Sequence, residues 1–282
     1  MAERANFMKC IVLGVLGLLV PGVSAQVVIS AAGAVASPTM GGQPEFARLS
    51  SPDQSLSGPS PAVTPKLPVI SAELALARFQ QRSTTQSTRL AFYSAISVIR
   101  AELPDTSQHG EYEVQRTFRA PRTLLFKPIR FVGDKFVKTN IISRLLQSEV
   151  DHVEKDDVGQ TAISPANYKL SYKGKIDIEG HLVHVFQVKP YKKRPGLFKG
   201  RIYLEAHTGN LLRAQGRIVK SPSLFVKHIE FVQDYSDIGS FTLPVHVHSE
   251  GRAFFVGHMV VDITHAYQSV PPEMQAVLLK SP

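Results

Sequence analysis

His246 and His248 stand two apart in an alternating stretch, and in a strand that spacing puts both imidazoles on one face, a geometry that can hold a metal ion. Such a site needs a third and a fourth ligand. The single cysteine, Cys10, lies far upstream, and His258 and His265 fall on the following strand with nothing requiring them to be adjacent. Histidines on the exposed face of a sheet explain the pair without a metal, so no cofactor is expected. His181 and His184, three apart, face opposite sides of a strand and form no pair.

The densest basic cluster is Lys189, Lys192, Lys193, Arg194, Lys199 and Arg201. It reads as a solvated hairpin loop, or as a docking loop for anionic lipid head groups or an acidic partner. Near a charged membrane each such residue contributes roughly 1 kcal/mol. The acid pairs Glu111/Glu113 and Asp156-Asp157 have the setting of solvent-facing strand and loop residues. There is no nucleophile elbow, phosphate loop, zinc helix or dinucleotide fingerprint, and neither Gly174 nor Gly180 leads into a helix. Catalytic residues are therefore expected to be absent, with a hydrolase lacking a local signature as the remaining enzymatic alternative.

The elements that must position these residues follow from periodicity. Strand candidates run over Tyr168–Ile178, His181–Pro190, Lys199–Ala206, Leu211–Val219, Leu224–Tyr235, Phe241–Ser249 and Ala253–Tyr267. Glu179-Gly180 and Thr208-Gly209-Asn210 have the chemistry of hairpin turns, so the strands form an antiparallel meander. Upstream, Ser71, Glu73, Leu74, Leu76, Ala77 and Phe79 predict a capped helix ending near Arg82, because Ser83 to Thr88 continues it poorly. Arg89–Leu103 fits a helix face and a strand alternation equally well. Glu111–Arg119 alternates cleanly, with Tyr112, Val114 and Phe118 toward the core, and Thr123–Ile129 reads as another strand. Phe136, Ile141, Leu145, Leu146 and Val150 recur at helical spacing between residues 134 and 155.

Residues 1–25 have the layout of a secretory signal: Arg4 and Lys9, an apolar run from Ile11 to Val20, and Val23-Ser24-Ala25 before the expected cleavage. The run is shorter than the roughly 20 residues a spanning helix needs. Residues 26–70 are rich in Ala, Gly, Ser, Pro and Gln and read as a flexible linker, residues 71–270 as the folded domain, and residues 271–282 as a tail. With Cys10 inside the signal, the exported chain has no disulfide and must rely on its core, which an apolar content of 43% can support. The net charge of +9 suits anionic lipid, an acidic partner or nucleic acid, and export removes the chain from most nucleic acid.

The order of a signal peptide, a helix, a few strands, a helical insertion and a long meander resembles the outer-membrane lipoprotein-sorting superfamily. Its members include LolA-like carriers and the amino-terminal domain of RseB-like regulators. The text most similar to it is HVFQVKPYKKRPGLFKGRIYLEAHTGNLLRAQGRI, residues 184–218, followed by Phe225 to Phe231 and Phe241 to Pro244. The resemblance implies an α+β fold, a curved antiparallel sheet or half-open β-barrel with helices packed against or plugging its concave side. It implies that Arg89–Leu103 is a long first strand and that residues 134–155 supply covering helices. It further implies an apolar cavity for acyl chains or a partner segment, with Phe92, Ile96, Phe126, Leu145, Val185, Tyr203, Phe225 and Phe231 expected to line it; all eight would serve equally well as ordinary core. The family's lid-pinning arginine precedes a proline; here Ala120 separates Arg119 from Pro121, and Arg119 is the position to which that role carries. The function implied is an exported, periplasmic, non-enzymatic carrier or sensor for a lipid or acylated protein. A periplasmic interaction or scaffolding module is the alternative.

Overall fold

A computed structural model of the chain describes residues 68–155, 158–220, 226–253 and 256–270. The expected signal, the linker as far as residue 67, the tail, Phe225 and the pair Asp156-Asp157 lie outside the described residues. The described residues from Val69 onward belong to one unit.

Helix α1, Ala72–Arg89, starts where the Ser71 side chain accepts the Leu74 amide hydrogen, with Glu73 in the first turn and Arg89 in the last. Its buried residues, Ala72, Ala75, Phe79 and Gln86, follow helical spacing and face the sheet. The helix does not stop near Arg82. Thr84 donates to the Gln80 carbonyl, Ser87 to that of Thr84 and Thr88 to that of Thr85, so hydroxyls that would compete with the helix bond back into it. Gln86 then clasps the backbone of Thr242, donating to its carbonyl and accepting its amide hydrogen at 2.9 Å each. A tertiary contact thus outweighs weak local propensity.

Ten strands follow: β1 Phe92–Leu103, β2 Gln108–Arg119, β3 Thr123–Gly133, β4 Tyr168–Ile178, β5 His181–Pro190, β6 Phe198–Glu205, β7 Leu211–Ile218, β8 Val226–Ile238, β9 Phe241–Ala253 and β10 Gly257–Ser269. The ambiguous segment after Arg89 is strand, as the resemblance implies. All ten join one antiparallel sheet in the order β3-β2-β1-β10-β9-β8-β7-β6-β5-β4, so the sheet is open and β3 and β4 are its edges. The meander from β4 to β10 is continuous, and β1 docks on β10 to add the N-terminal strands.

Between β3 and β4 the chain is helical: α2 Lys135–Val137, a π turn at Lys138–Ile142, α3 Ser143–Glu154 and α4 Val158–Thr161. Leu145, Leu146, Glu149 and Val153 form the buried stripe of α3. With α1, these helices cover one face, the inner face, where the main core collects Tyr93, Ile99, Val114, Phe118, Leu124, Phe186, Phe198, Phe231, Val247 and Ile263. The rings of Phe198 on β6 and Phe231 on β8 meet edge-on at 5.1 Å across β7, where the inner position between them is Gly216. An added Cβ at Gly216 would lie 2.9 Å from the Phe198 ring, and one at its cross-strand partner Gly200 would lie 1.9 Å from the Gln215 carbonyl oxygen. This pair of glycines permits the close approach of the β6 and β7 backbones there.

Candidate functional site

Alternation along β2 sends Tyr112, Val114, Arg116 and Phe118 to the inner face, so an arginine stands among core residues. Its guanidinium lies over the rings of Tyr93 and Phe126 at 5.7 and 5.4 Å, donates to the Tyr93 hydroxyl at 2.8 Å, and forms an ion pair with Glu149 on the buried stripe of α3. Burial works against the Arg116 charge, but Glu149, Tyr93 and Tyr267 more than offset it, so its pKa moves up and the side chain stays cationic. Burial pushes the Glu149 carboxyl up, opposed by Arg116. The cover is tied a second time by Lys138, whose ammonium sits 4.9 Å from the rings of both Tyr112 and Phe131.

Other polar groups share this face. Tyr267 donates to the Pro244 carbonyl at 2.9 Å, and burial raises its hydroxyl well above the usual phenol range. His265 meets Ser97 through Nδ1 at 2.8 Å, while its buried Nε2 has no partner among the described residues. Burial first, then the charges of Arg116 and His246, hold its pKa well below the usual imidazole range. Gln233 is wholly buried, and neither atom of its amide has a partner among the described residues. Buried polar groups are ordinarily paired, so these are the uncommon features of the inner face.

The structure divides the expected cavity-lining residues. Phe126, Leu145 and Phe231 lie on the inner face in or against the main core. Phe92 and Ile96 alternate with Tyr93 and Ala95 and therefore point outward. Val185 and Tyr203 belong to a separate small cluster with Val183, Ile178 and Leu212. Strand β5 is apolar on both faces, so periodicity alone could not separate His184, Phe186 and Val188, which face inward, from Val183 and Val185. Arg119 is exposed, its guanidinium 5.8 Å from the outward ring of Phe92, and it does not reach the cover. The arginine that does is Arg116, and its parity with Val114 and Phe118 was the available signal.

On the outer face His246 and His248 share a side, as their spacing requires, but carboxylates surround them. His246 lies 3.6 Å from Asp234 and 3.5 Å from Asp262; His248 lies 2.8 Å from Asp262 and 3.2 Å from Glu250; His258 lies 3.5 Å from Glu250. Among the described residues no group of His, Cys, Asp or Glu is placed to hold a metal. The hydrogen bond to Asp262 raises the His248 pKa, with burial opposing and Glu250 assisting.

Lys189, Lys192, Lys193 and Lys199 are exposed. Arg194 is half-buried and bonded to its own chain, donating to the Asn167 side chain at 2.9 Å and to the Gln160 carbonyl at 3.1 Å. It anchors the loop to the start of β4 and to α4, and is not a free surface cation. Among the described residues no helix is long and apolar enough to cross a membrane.

An open ten-stranded antiparallel sheet with one helix-covered face, fastened by a buried ion pair, defines the architecture. No family model matches the chain, and no curated protein is similar to it. Solved structures to which it is similar include a LolA superfamily protein from Nitrosomonas europaea, with 11% identity over 73% of this chain and 97% of that one at a TM-score of 0.35. A putative outer membrane lipoprotein-sorting protein domain from Vibrio parahaemolyticus gives 13% identity over 75% and 100% at 0.36. The MucA/MucB complex of Pseudomonas aeruginosa gives 11% over 73% and 96% at 0.24.

Proposed function

We propose that the protein is an exported, non-enzymatic binding protein that takes an acyl chain or an acylated protein segment between the inner face of its sheet and the helical cover. The observation that carries this reading is the Arg116–Glu149 pair, which joins β2 to α3 inside the main core. A cover held for stability alone gains little from such a pair, because apolar replacements of similar volume are often neutral or stabilising. A latch of two charges suits a cover that must dock in one position and leave it. The Gln233 amide and His265 Nε2, without partners among the described residues, support the same reading, since an interior that opens can bring partners to them. Export and a periplasmic location are proposed on the layout of residues 1–25.

Uptake of a fluorescent fatty acyl probe tests this. The reading expects saturable binding, displaced by unlabelled lipid, with affinity altered at least several-fold by Glu149→Gln. Absence of saturable uptake favours a scaffolding module that uses its surface without a ligand.

A further inference from the structure

Strand register places four cations side by side on the outer face of β4–β7. Lys169 lies opposite Lys189, Val188 pairs with Gly200 and so sets Lys189 beside Lys199, and Lys199 lies opposite Arg217. Each alternates with an inward neighbour (Tyr168, Val188, Phe198 and Ile218), so all four point outward, and all are exposed. None makes an ion pair with a described residue. Arg201, flanked by Gln187 and Gln215, adds a fifth cation in the adjacent row. The row changes sign at β8, where Arg217 lies opposite Glu230 and Glu230 opposite Glu250. A groove of about 510 Å³ marks that boundary, lined by Lys199, Arg201 and Arg217 on one side and Glu230, His248 and Glu250 on the other.

Like charges directly opposite on neighbouring strands repel, and strands lie about 4.8 Å apart, so this ladder packs four cations into roughly 14 Å. The arrangement costs stability in the isolated chain and is offset when a planar array of anions lies against it. Tyr191, directly after β5 and 63% exposed, adds an amphipathic ring beside the ladder, followed by exposed Lys192 and Lys193. Tyrosine next to lysine is the composition of a membrane interface, where the ring sits at head-group level. We infer that the outer face of β4–β7 docks on the anionic phospholipid head groups of a membrane surface, with the lysine ladder on the phosphates and Tyr191 at the interface. This surface is opposite the Arg116–Glu149 latch, so vesicle docking and acyl uptake can fail independently.

Sedimentation with phosphatidylcholine vesicles, with and without phosphatidylglycerol, tests the inference. The expected result is binding that needs phosphatidylglycerol, weakens with salt, and falls on the order of a hundred-fold in the Lys169→Gln/Lys189→Gln/Lys199→Gln variant. That variant should melt no lower than the parent, since it relieves repulsion on an exposed face. Tyr191→Ser should weaken binding with the lysines intact. Equal binding by parent and triple variant, or equal binding to pure phosphatidylcholine, overturns the inference. Inorganic phosphate binding at these lysines as tightly as vesicles do would also overturn it, in favour of a small-anion site.

Discussion

Arg116 on β2 and Glu149 on α3 meet with side chains only 2% and 3% exposed, so the contact between sheet and cover is an ion pair removed from water. Everything proposed for the inner face depends on it.

Removing one partner strands the other charge in the core. Arg116→Met or Glu149→Gln should each lower unfolding free energy by about 3–5 kcal/mol, whereas Arg116→Met with Glu149→Leu should recover most of that loss. Urea unfolding of the three variants measures it. Losses below 1 kcal/mol for both single variants, on the scale of surface pairs, would show that the pair is not a buried latch.

The Gln86–Thr242 clasp fixes the second half of α1 to the start of β9. Gln86→Ala removes two hydrogen bonds and should cost about 2 kcal/mol, with faster amide exchange from Ser83 to Arg89. Uniform protection along α1 in the variant would mean that local propensity, not the clasp, extends the helix.

The two kinds of histidine are shifted in opposite directions. Burial, with Arg116 and His246, keeps His265 neutral in the folded chain. The unfolded chain takes up a proton near pH 6.5 that the folded chain refuses, so this contribution is present above that value and lost as pH falls through it. His265→Gln should flatten the acid limb of the stability profile. His248, raised by Asp262, contributes stability that is complete below the unfolded value and fades as pH rises through its own higher pKa. Proton NMR should show His248 titrating above the ordinary range and His265 not titrating across it.

Gly200→Ala sets a Cβ against the Gln215 carbonyl at 1.9 Å, backbone that cannot turn aside as a side chain could. A loss of about 1–3 kcal/mol, with weakened protection between β6 and β7, is expected. A neutral substitution would mean that the close approach of β6 and β7 there has slack.

Much of the sheet is legible in the residues because turn chemistry brackets clean alternation. Strands β4 and β5 fall where the pattern puts them, on either side of Glu179-Gly180, both of which have positive φ as a tight hairpin turn requires. The helix past Arg82 is illegible because hydroxyl back-bonding and the Thr242 clasp override propensity. The inner-face residues are legible only in part. Parity singles out Arg116 beside Val114 and Phe118, and helical spacing puts Glu149 one turn after Leu145, but nothing in a single sequence says that these two positions meet. The cation ladder is hidden for the same reason, since Lys169 and Arg217 fall in one cross-strand row only through the register of four strands.

Mass spectrometry of the purified chain, under native conditions and after solvent extraction, tests the central proposal most directly. Binding between sheet and cover predicts a co-purifying acyl lipid near one equivalent, regained after delipidation and lost or exchanged faster in Glu149→Gln. A bare protein mass under native conditions, with no lipid in the extract and none taken up afterwards, would contradict it.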